Sequence, residues 1–324
     1  MKNVIVFKAL PADQIERIRA EHHVVLVDPK IALEDFHRAL PEAHGLIGAS
    51  YPLTAELLAK ASRLEVVSSA SVGVDNYDLA ELHRRSILLC HTPGVLDETV
   101  ADTVFGLLVA TSRRFVEMSN LVREGKWPQE FGDDLLGVDV HGRTLGMIGF
   151  GRIGQAIARR AALGFRMNVL YHTRHAVDLD NDAPELAGKE THAVLHELLA
   201  KSDFVVGMLS LTDATRGMMG TDFFGAMKPG AIFINGGRGA TVCEDALLSA
   251  LSSGRLRAAG LDVFAKEPLG LESPLRTHAR VTPLPHIGSA TIETRRAMAV
   301  LATNNLLQAL SGVRPATCYD TANV

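Results

Sequence analysis

Three short stretches in the C-terminal half of the chain each place a chemically capable side chain just beyond an apolar, β-prone run. "INGGRGA" carries Arg238, "GLDVFAKEP" carries Glu267 and "PLPHIGSAT" carries His286. In an open parallel α/β sheet, groups that follow the carboxyl ends of the strands gather in one crevice, so these three side chains are expected to meet. Together they suit the reduction of a 2-keto acid. A guanidinium holds the substrate carboxylate through two hydrogen bonds and polarises the carbonyl. Histidine protonates the developing alkoxide near neutral pH, and a neighbouring carboxylate keeps its imidazole in the charged form. The chemistry needs no metal. Each residue alone has a structural alternative: a histidine before Ile-Gly that serves packing, a glutamate before proline at the surface, an arginine that caps a sheet edge.

Such a reaction requires a hydride donor, and the upstream sequence offers a place for one. In "TLGMIGFGRIGQAIARRAALGF" an apolar strand ends at Ile148, Gly149, Gly151 and Gly154 form G-x-G-x-x-G, and a helix rich in alanine and isoleucine follows. The first glycine allows a tight turn, the second lets the backbone approach a pyrophosphate, and the third lets helix and strand pack closely. The helix N-terminus then meets the phosphates with its free N–H groups. Gly149, Gly151, Arg152, Ile153 and Gly154 are therefore the candidate cofactor loop. About 20 residues beyond Gly154, an Asp or Glu would bind the ribose 2′-hydroxyl of NAD. Here the strand "MNVLYHTRH" ends in Thr173 and Arg174, and no acid occurs from Tyr171 to Val177. A guanidinium at that point matches a 2′-phosphate, with His172, Thr173 and His175 as further donors, so NADPH is the expected cofactor and NADH a possible one. The alternative for Arg174 is a solvated loop residue.

These residues need a scaffold, and the rest of the chain reads as α/β throughout. Its 324 residues, 47% hydrophobic and 22% charged, suit about two domains. Strands are expected at Val4–Phe7, Val24–Val27, Gly45–Ala49, Glu65–Ser69 and Ile87–His91, separated by helical segments "PADQIERIRAEH", "TAELLAKA" and "NYDLAELHRRS". One long helix is expected from about Glu98 to about Gly125. A second series of strands follows near Thr144–Gly149, Asn168–Tyr171, Phe204–Leu209, Ala231–Asn235, Ala259–Asp262 and Val281–Thr282, before a final helix Ile292–Leu310 that Gly312 and Pro315 stop.

The net charge of −4 with mixed signs provides no basic field for nucleic acid. No apolar stretch approaches the ~18 residues of a membrane span, and the amino terminus lacks the features of a signal peptide. Cys90, Cys243 and Cys318 lie far apart, which fits neither a disulfide framework nor metal-ligand spacing, and they are read as reduced thiols of a cytoplasmic protein.

The motifs in this order resemble the D-isomer-specific 2-hydroxyacid dehydrogenases, and within them the bacterial glyoxylate/hydroxypyruvate reductases, also known as 2-ketogluconate reductases. The resemblance rests on "SVGVDN" at Ser71–Asn76, "HTPGVLDETVADT" at His91–Thr103, "GFGRIG" at Gly149–Gly154, "INGGRG" at Ile234–Gly239, "GLDVFAKEP" at Gly260–Pro268 and "PHIGSAT" at Pro285–Thr291. It implies two doubly wound parallel-sheet domains. A Rossmann-type dinucleotide domain, 99–287, is inserted in a flavodoxin-like substrate domain, 1–98 with 288–324. It implies Arg238 as the substrate-binding arginine, Glu267 as its carboxylate partner and His286 as the acid/base beside the nicotinamide. It further implies the backbone of Val72 and Gly73 as the cradle of the substrate carboxylate, and Asp262 as the residue that holds the nicotinamide carboxamide. A homodimer is implied, with the long helix and "FGDDLLGVDVHG" at the interface. Cys243 stands where an acid is frequent.

The resulting expectation is NADPH-dependent reduction of glyoxylate, hydroxypyruvate or 2-ketogluconate to the D-2-hydroxy acid. Two other readings stay open on this fold. One is a dinucleotide-sensing corepressor. The other is a short phosphoglycerate dehydrogenase, a group that often carries a C-terminal extension where this chain has only "GVRPATCYDTANV".

Overall fold

The computed structural model describes residues 1–174, 177, 184–186, 188 and 190–322. His175, one of the expected donors near Arg174, lies outside the described residues. The chain divides into two compact units, Met1–Leu96 with Ala290–Val324, and Asp97–Ser289.

The first unit holds strands β1 (Asn3–Val6), β2 (His23–Leu26), β3 (Gly45–Gly48), β4 (Val66–Ser69) and β5 (Leu88–Cys90), all parallel, in the order β2-β1-β3-β4-β5. This is the flavodoxin-like order. Helices α1 (Ala12–Arg19), α2 (Leu33–Ala39), α3 (Ala55–Lys60) and α4 (Leu79–Arg84) lie between the strands, and the C-terminal helix Ile292–Leu310 returns to the same unit. Alternation along β1 explains the layering. Val4 and Val6 join Ile18, Ala302, Leu306 and Leu310, whereas Ile5 and Phe7 join Phe36, Leu46, Leu58 and Leu82. A parallel sheet covered on both faces needs such continuous apolar strands. Beyond the C-terminal helix, Gly312 takes the left-handed backbone that ends it, with φ 87°. The following segment then runs antiparallel against β5, through Tyr319 N–H to Leu89 O at 2.7 Å and His91 N–H to Thr317 O at 3.2 Å.

The second unit is a seven-stranded parallel sheet of β6 (Thr144–Ile148), β7 (Asn168–His172), β8 (Glu190–His192), β9 (Phe204–Gly207), β10 (Ala231–Asn235), β11 (Leu256–Leu261) and β12 (Val281–Pro283). Its order, β12-β11-β10-β9-β6-β7-β8, is the Rossmann arrangement with one strand added. The order reverses at β6 and β9, so a crevice opens past their carboxyl ends. Helices α5 (Asp97–Ser112), α6 (Phe115–Arg123), α7 (Arg152–Arg159), α8 (Leu195–Lys201), α9 (Thr221–Ala226) and α10 (Glu244–Ser252) belong to this unit. Phe223, Phe224, Leu247 and Leu251 from α9 and α10 pack with Ile148, Val205 and Phe233 of the sheet. On the other side, α5 lies so close that a Cβ on Gly260 of β11 would meet Thr111 Oγ1 at 2.6 Å and Leu107 Cγ at 2.8 Å.

The single helix expected from Glu98 to Gly125 is in fact two. Arg114 sits at φ 56°, ψ 34°, a left-handed conformation that cannot continue the i to i−4 hydrogen-bond ladder. Its guanidinium is held by Glu117 at 2.6 Å and by the Asp134 carbonyl. β8 was not anticipated, because Glu-Thr-His carries no apolar alternation and pairs only at the edge against β7. Among the described residues, no helix is long and apolar enough to cross a membrane.

Candidate active site

The glycine-rich loop leaves β6 at the switch point, and its three glycines sit in different surroundings. Gly149 has φ 93°, and a Cβ there would lie 2.6 Å from the Met208 carbonyl oxygen after β9. A Cβ on Gly154 would lie 2.7 Å from the Gly149 oxygen, so the first turn of α7 rests directly on the loop. Gly151 is different: among the described residues, a Cβ there would have no atom within 4 Å. None of those residues demands glycine at 151, which fits a backbone kept bare for a ligand. α7 begins with no side-chain cap and no acid in its first turn, so its N-terminal N–H groups and positive dipole end suit an anion. Phe150 is stacked on Tyr171 at 4.2 Å beneath this turn, and Gln155 Nε2 donates to the Phe150 carbonyl at 3.2 Å. Arg152 pairs with Asp97 at 3.2 Å on α5. Ile153 lies in the first turn of α7. These features fit a pyrophosphate-bearing cofactor.

Arg174 is exposed just past the end of β7, where an adenosine ribose is met in this fold. Thr173 is half-buried, and its carbonyl lies 3.3 Å from His192 Nε2. His172, an expected donor, instead places Nδ1 3.0 Å from the Ala193 carbonyl. The pairing of β7 with β8 therefore takes one of the anticipated donors and brings His192 close to the same strand end.

The three chemical residues emerge from β10, β11 and β12, neighbouring strands of one sheet. His286 Nδ1 lies 2.6 Å from Glu267 Oε2, and Glu267 Oε1 accepts the Phe264 N–H at 3.0 Å. Both carboxylate oxygens are thus committed, which fixes the direction of the imidazole. Burial acts to raise the Glu267 carboxyl, but the hydrogen bonds from His286 and the Phe264 N–H and the charges of His286 and Arg238 outweigh it and hold the carboxyl low. Arg238 is half-buried, and its Nη1 donates to its neighbour Gly237 O at 2.9 Å.

His286 itself occupies left-handed backbone, φ 53°. Such a residue is uncommon outside glycine and persists where its surroundings fix it. Asp262, 1% exposed, supplies that fixing: its Oδ1 accepts the Ile287 N–H and its Oδ2 the Gly288 N–H, each at 2.8 Å. Desolvation leads in raising its carboxyl above the ordinary range, against the lowering effect of those two donors. Asp262, which the resemblance places at the nicotinamide carboxamide, thus clamps the turn after His286 in this structure.

Other residues that build the site carried a weaker sequence signal. Asn235 Nδ2 donates to Arg238 O at 3.1 Å, its Oδ1 accepts Gly237 N–H at 3.1 Å, and Thr241 Oγ1 donates to Arg238 O at 2.6 Å. Gly239 is the tightest contact of the site. A Cβ there would fall 1.8 Å from the carbonyl carbon of Phe264, so only glycine lets the Arg238 loop close on the loop of Glu267. Val72 and Gly73 lie in the first unit, after β4. Ser71 Oγ donates to Gly73 O at 2.9 Å, and His91 Nδ1 lies 2.9 Å from Val72 O. Cys243, five residues after Arg238, is exposed at the start of α10 and makes no side-chain cap.

Known proteins resemble this chain in sequence and in fold. A family model for the NAD binding domain of D-isomer specific 2-hydroxyacid dehydrogenases matches residues 105–288. The chain is 46% identical over 321 residues to glyoxylate/hydroxypyruvate reductase B of Shigella boydii, covering 98% of each. The TT0316 protein of Thermus thermophilus superposes with TM-score 0.86 at 40% identity over 98% of this chain and 100% of that one. The NADPH-dependent glyoxylate/hydroxypyruvate reductase of Sinorhizobium meliloti, in complex with NADP and malonate, superposes with TM-score 0.86 at 32% identity over 99% and 97%.

Proposed function

Because the chain belongs to the D-isomer-specific 2-hydroxyacid dehydrogenases, nicotinamide-dependent oxidoreductases, we propose that it reduces glyoxylate or hydroxypyruvate to the D-2-hydroxy acid with NADPH. The larger 2-ketogluconate is a third candidate. The observation that carries this reading is the 2.6 Å contact of His286 with Glu267, set on strand ends beside the Arg238 loop.

A nicotinamide dinucleotide, which the Gly149–Gly154 loop and the first turn of α7 would hold, would supply the hydride for C2 of the keto acid. The residues of the chain do the rest. Arg238 binds the substrate carboxylate and draws electron density toward the carbonyl oxygen. Because Nδ1 of His286 faces Glu267, Nε2 is the atom left to give its proton to the forming alkoxide. Glu267 then keeps its hydrogen bond to Nδ1–H of the neutral ring, so the imidazole does not turn between cycles. The proposal extends to the backbone of Val72 and Gly73 as carboxylate donors, on the strength of their motif.

Two further elements belong to the proposal. NADPH preference rests on the exposed Arg174 at the end of β7. A homodimer is supported by Phe115, Val116, Val122, Trp127, Phe131 and Leu136, all at least 47% exposed within one stretch of the second unit, an apolar density that marks an interface. Action in the cytoplasm is part of the same proposal, supported by three free cysteines far apart in sequence.

Initial rates for a panel of 2-keto acids, with NADPH and NADH in parallel, test the reading. Turnover of the small keto acids is expected, with NADPH favoured. Dinucleotide binding without oxidation of NADPH would instead indicate a sensor. Arg174→Ala should weaken the preference about 10-fold, the lower end for a hydrogen bond to a charged group and the fitting one at a solvent-exposed site. An unchanged cofactor ratio would remove Arg174 from the ribose site.

A further inference from the structure

Cys90 and Cys318 are 228 positions apart in sequence, yet the structure brings their Sγ atoms to 3.0 Å. The contact follows from the backbone. His91 N–H donates to Thr317 O and Tyr319 N–H donates to Leu89 O, so the two hydrogen bonds flank Cys90 and Cys318, which form an isolated antiparallel bridge. Residues opposite each other in such a non-hydrogen-bonded position have Cα atoms about 4.5 Å apart and side chains at their closest. That spacing lies within the range a disulfide spans. The pair is held in register by more than these two bonds. Thr317 Oγ1 donates to Asn305 Oδ1 at 2.7 Å, Asn305 Nδ2 donates to His91 O at 3.1 Å, and the rings of His91 and Tyr319 meet edge to face at 5.5 Å.

We propose that Cys90 and Cys318 are a disulfide-forming site that fastens the C-terminal segment to the edge strand of the first unit. The oxidant is a small-molecule disulfide. The half-buried Cys318, as thiolate, attacks one sulfur of that disulfide, forms a mixed disulfide and releases one small thiol. Cys90 then loses its proton, attacks the Cys318 sulfur and displaces the second small thiol. Two protein thiols are oxidised, one disulfide is reduced to two thiols, and the two protons leave with them. Burial, with the contact to Cys318 adding to it, pushes the Cys90 thiol well up, which makes Cys318 the first to react and Cys90 the one that resolves. The bond would act on a segment of interest, since the next residue along, His91, contacts Val72 O at 2.9 Å and Thr92 N–H donates to Ser71 O at 3.0 Å.

The test uses the full chain, reduced, desalted and incubated with oxidised glutathione. Titratable thiols of the denatured protein should fall from three to one, with the chain still monomeric on a non-reducing gel. A non-reducing tryptic digest should link the peptide 86–113 to the peptide 297–324, leaving the Cys243 peptide 239–255 free. Cys318→Ser should abolish the linked peptide, and Cys243→Ser should leave it unchanged. The oxidised wild type should melt at a higher temperature than the reduced form, a rise absent in Cys318→Ser. Glutathione retained on Cys318 with Cys90 free, a link through Cys243, or no loss of thiols would overturn the pairing. A linked peptide without a rise in Tm would overturn the fastening role.

Discussion

Gly239→Ala is the substitution that asks most directly whether the Arg238 and Glu267 loops must touch for catalysis. The added methyl would sit 1.8 Å from Phe264 C and 2.0 Å from Phe264 O, both backbone atoms that no rotamer change can move aside. Ordinary contact begins near 3.4 Å, so the two loops must part by roughly 1.6 Å. Phe264 N–H also holds Glu267 Oε1, and Glu267 Oε2 holds His286, so the displacement reaches the proposed proton donor, His286, as well as Arg238. A misplacement of about 1 Å costs on the order of 10²-fold, so kcat/KM for a keto acid should fall at least that far, about 2.7 kcal/mol in barrier. Overpacking should cost about 1–3 kcal/mol of stability, read as a fall in Tm of several degrees. The Gly149–Gly154 loop is untouched, so calorimetry should find NADPH affinity nearly unaltered. Steady-state oxidation of NADPH, followed by its absorbance, supplies the kinetics. A variant with near-native kcat/KM and an unchanged Tm would refute the idea that this close approach assembles the site.

Gly151→Ala should behave in the opposite way: no atom of the described residues lies within 4 Å of the new methyl, so Tm should hold, while KM for NADPH rises about 10-fold or more. An unchanged KM would place the phosphates elsewhere. Glu267→Gln removes the charge that stabilises an imidazolium but keeps an acceptor. The contact to Nδ1 of His286 is then weaker, and kcat for keto-acid reduction should fall about 10-fold. A normal kcat would show that the 2.6 Å contact does not govern the proton transfer. Asp262→Asn turns a donor toward one of the two N–H groups that clamp the turn after His286, an unmet bond of about 1–3 kcal/mol. We expect kcat to fall about 10-fold or more with a smaller change in substrate KM, and a normal kcat would remove Asp262 as a positioning residue.

How much of this was legible in the sequence depends on whether the signal was local. The glycine loop was legible because every requirement on it is local: a turn after β6, a bare backbone at Gly151 and a packed helix start at Gly154. The final helix Ile292–Leu310 was legible for the same reason, since its apolar spacing and its stop at Gly312 lie within one segment. The break at Arg114 was not. Arginine carries no turn signal, and its left-handed backbone depends on Glu117 and on the distant Asp134 carbonyl.

The trio shows the same division within one site. That Arg238, Glu267 and His286 each follow a strand can be read from residue types, and that neighbouring strands carry them follows from the parallel order. What could not be read is how the strand ends are locked together. Gly239 is needed because of Phe264, 25 positions on, and the backbone of His286 is held by Asp262, from the strand before it. The same reasoning applies to the cysteines. Spacing alone left Cys90 and Cys318 as unrelated thiols, and only the return of the C-terminal segment along β5 makes them neighbours. Side-chain identity names the chemistry in this protein, whereas contacts between distant backbone segments give it its geometry. Substitutions at Gly239 and Asp262, neither of which carries the proton, are therefore as direct a test of the mechanism as any at His286.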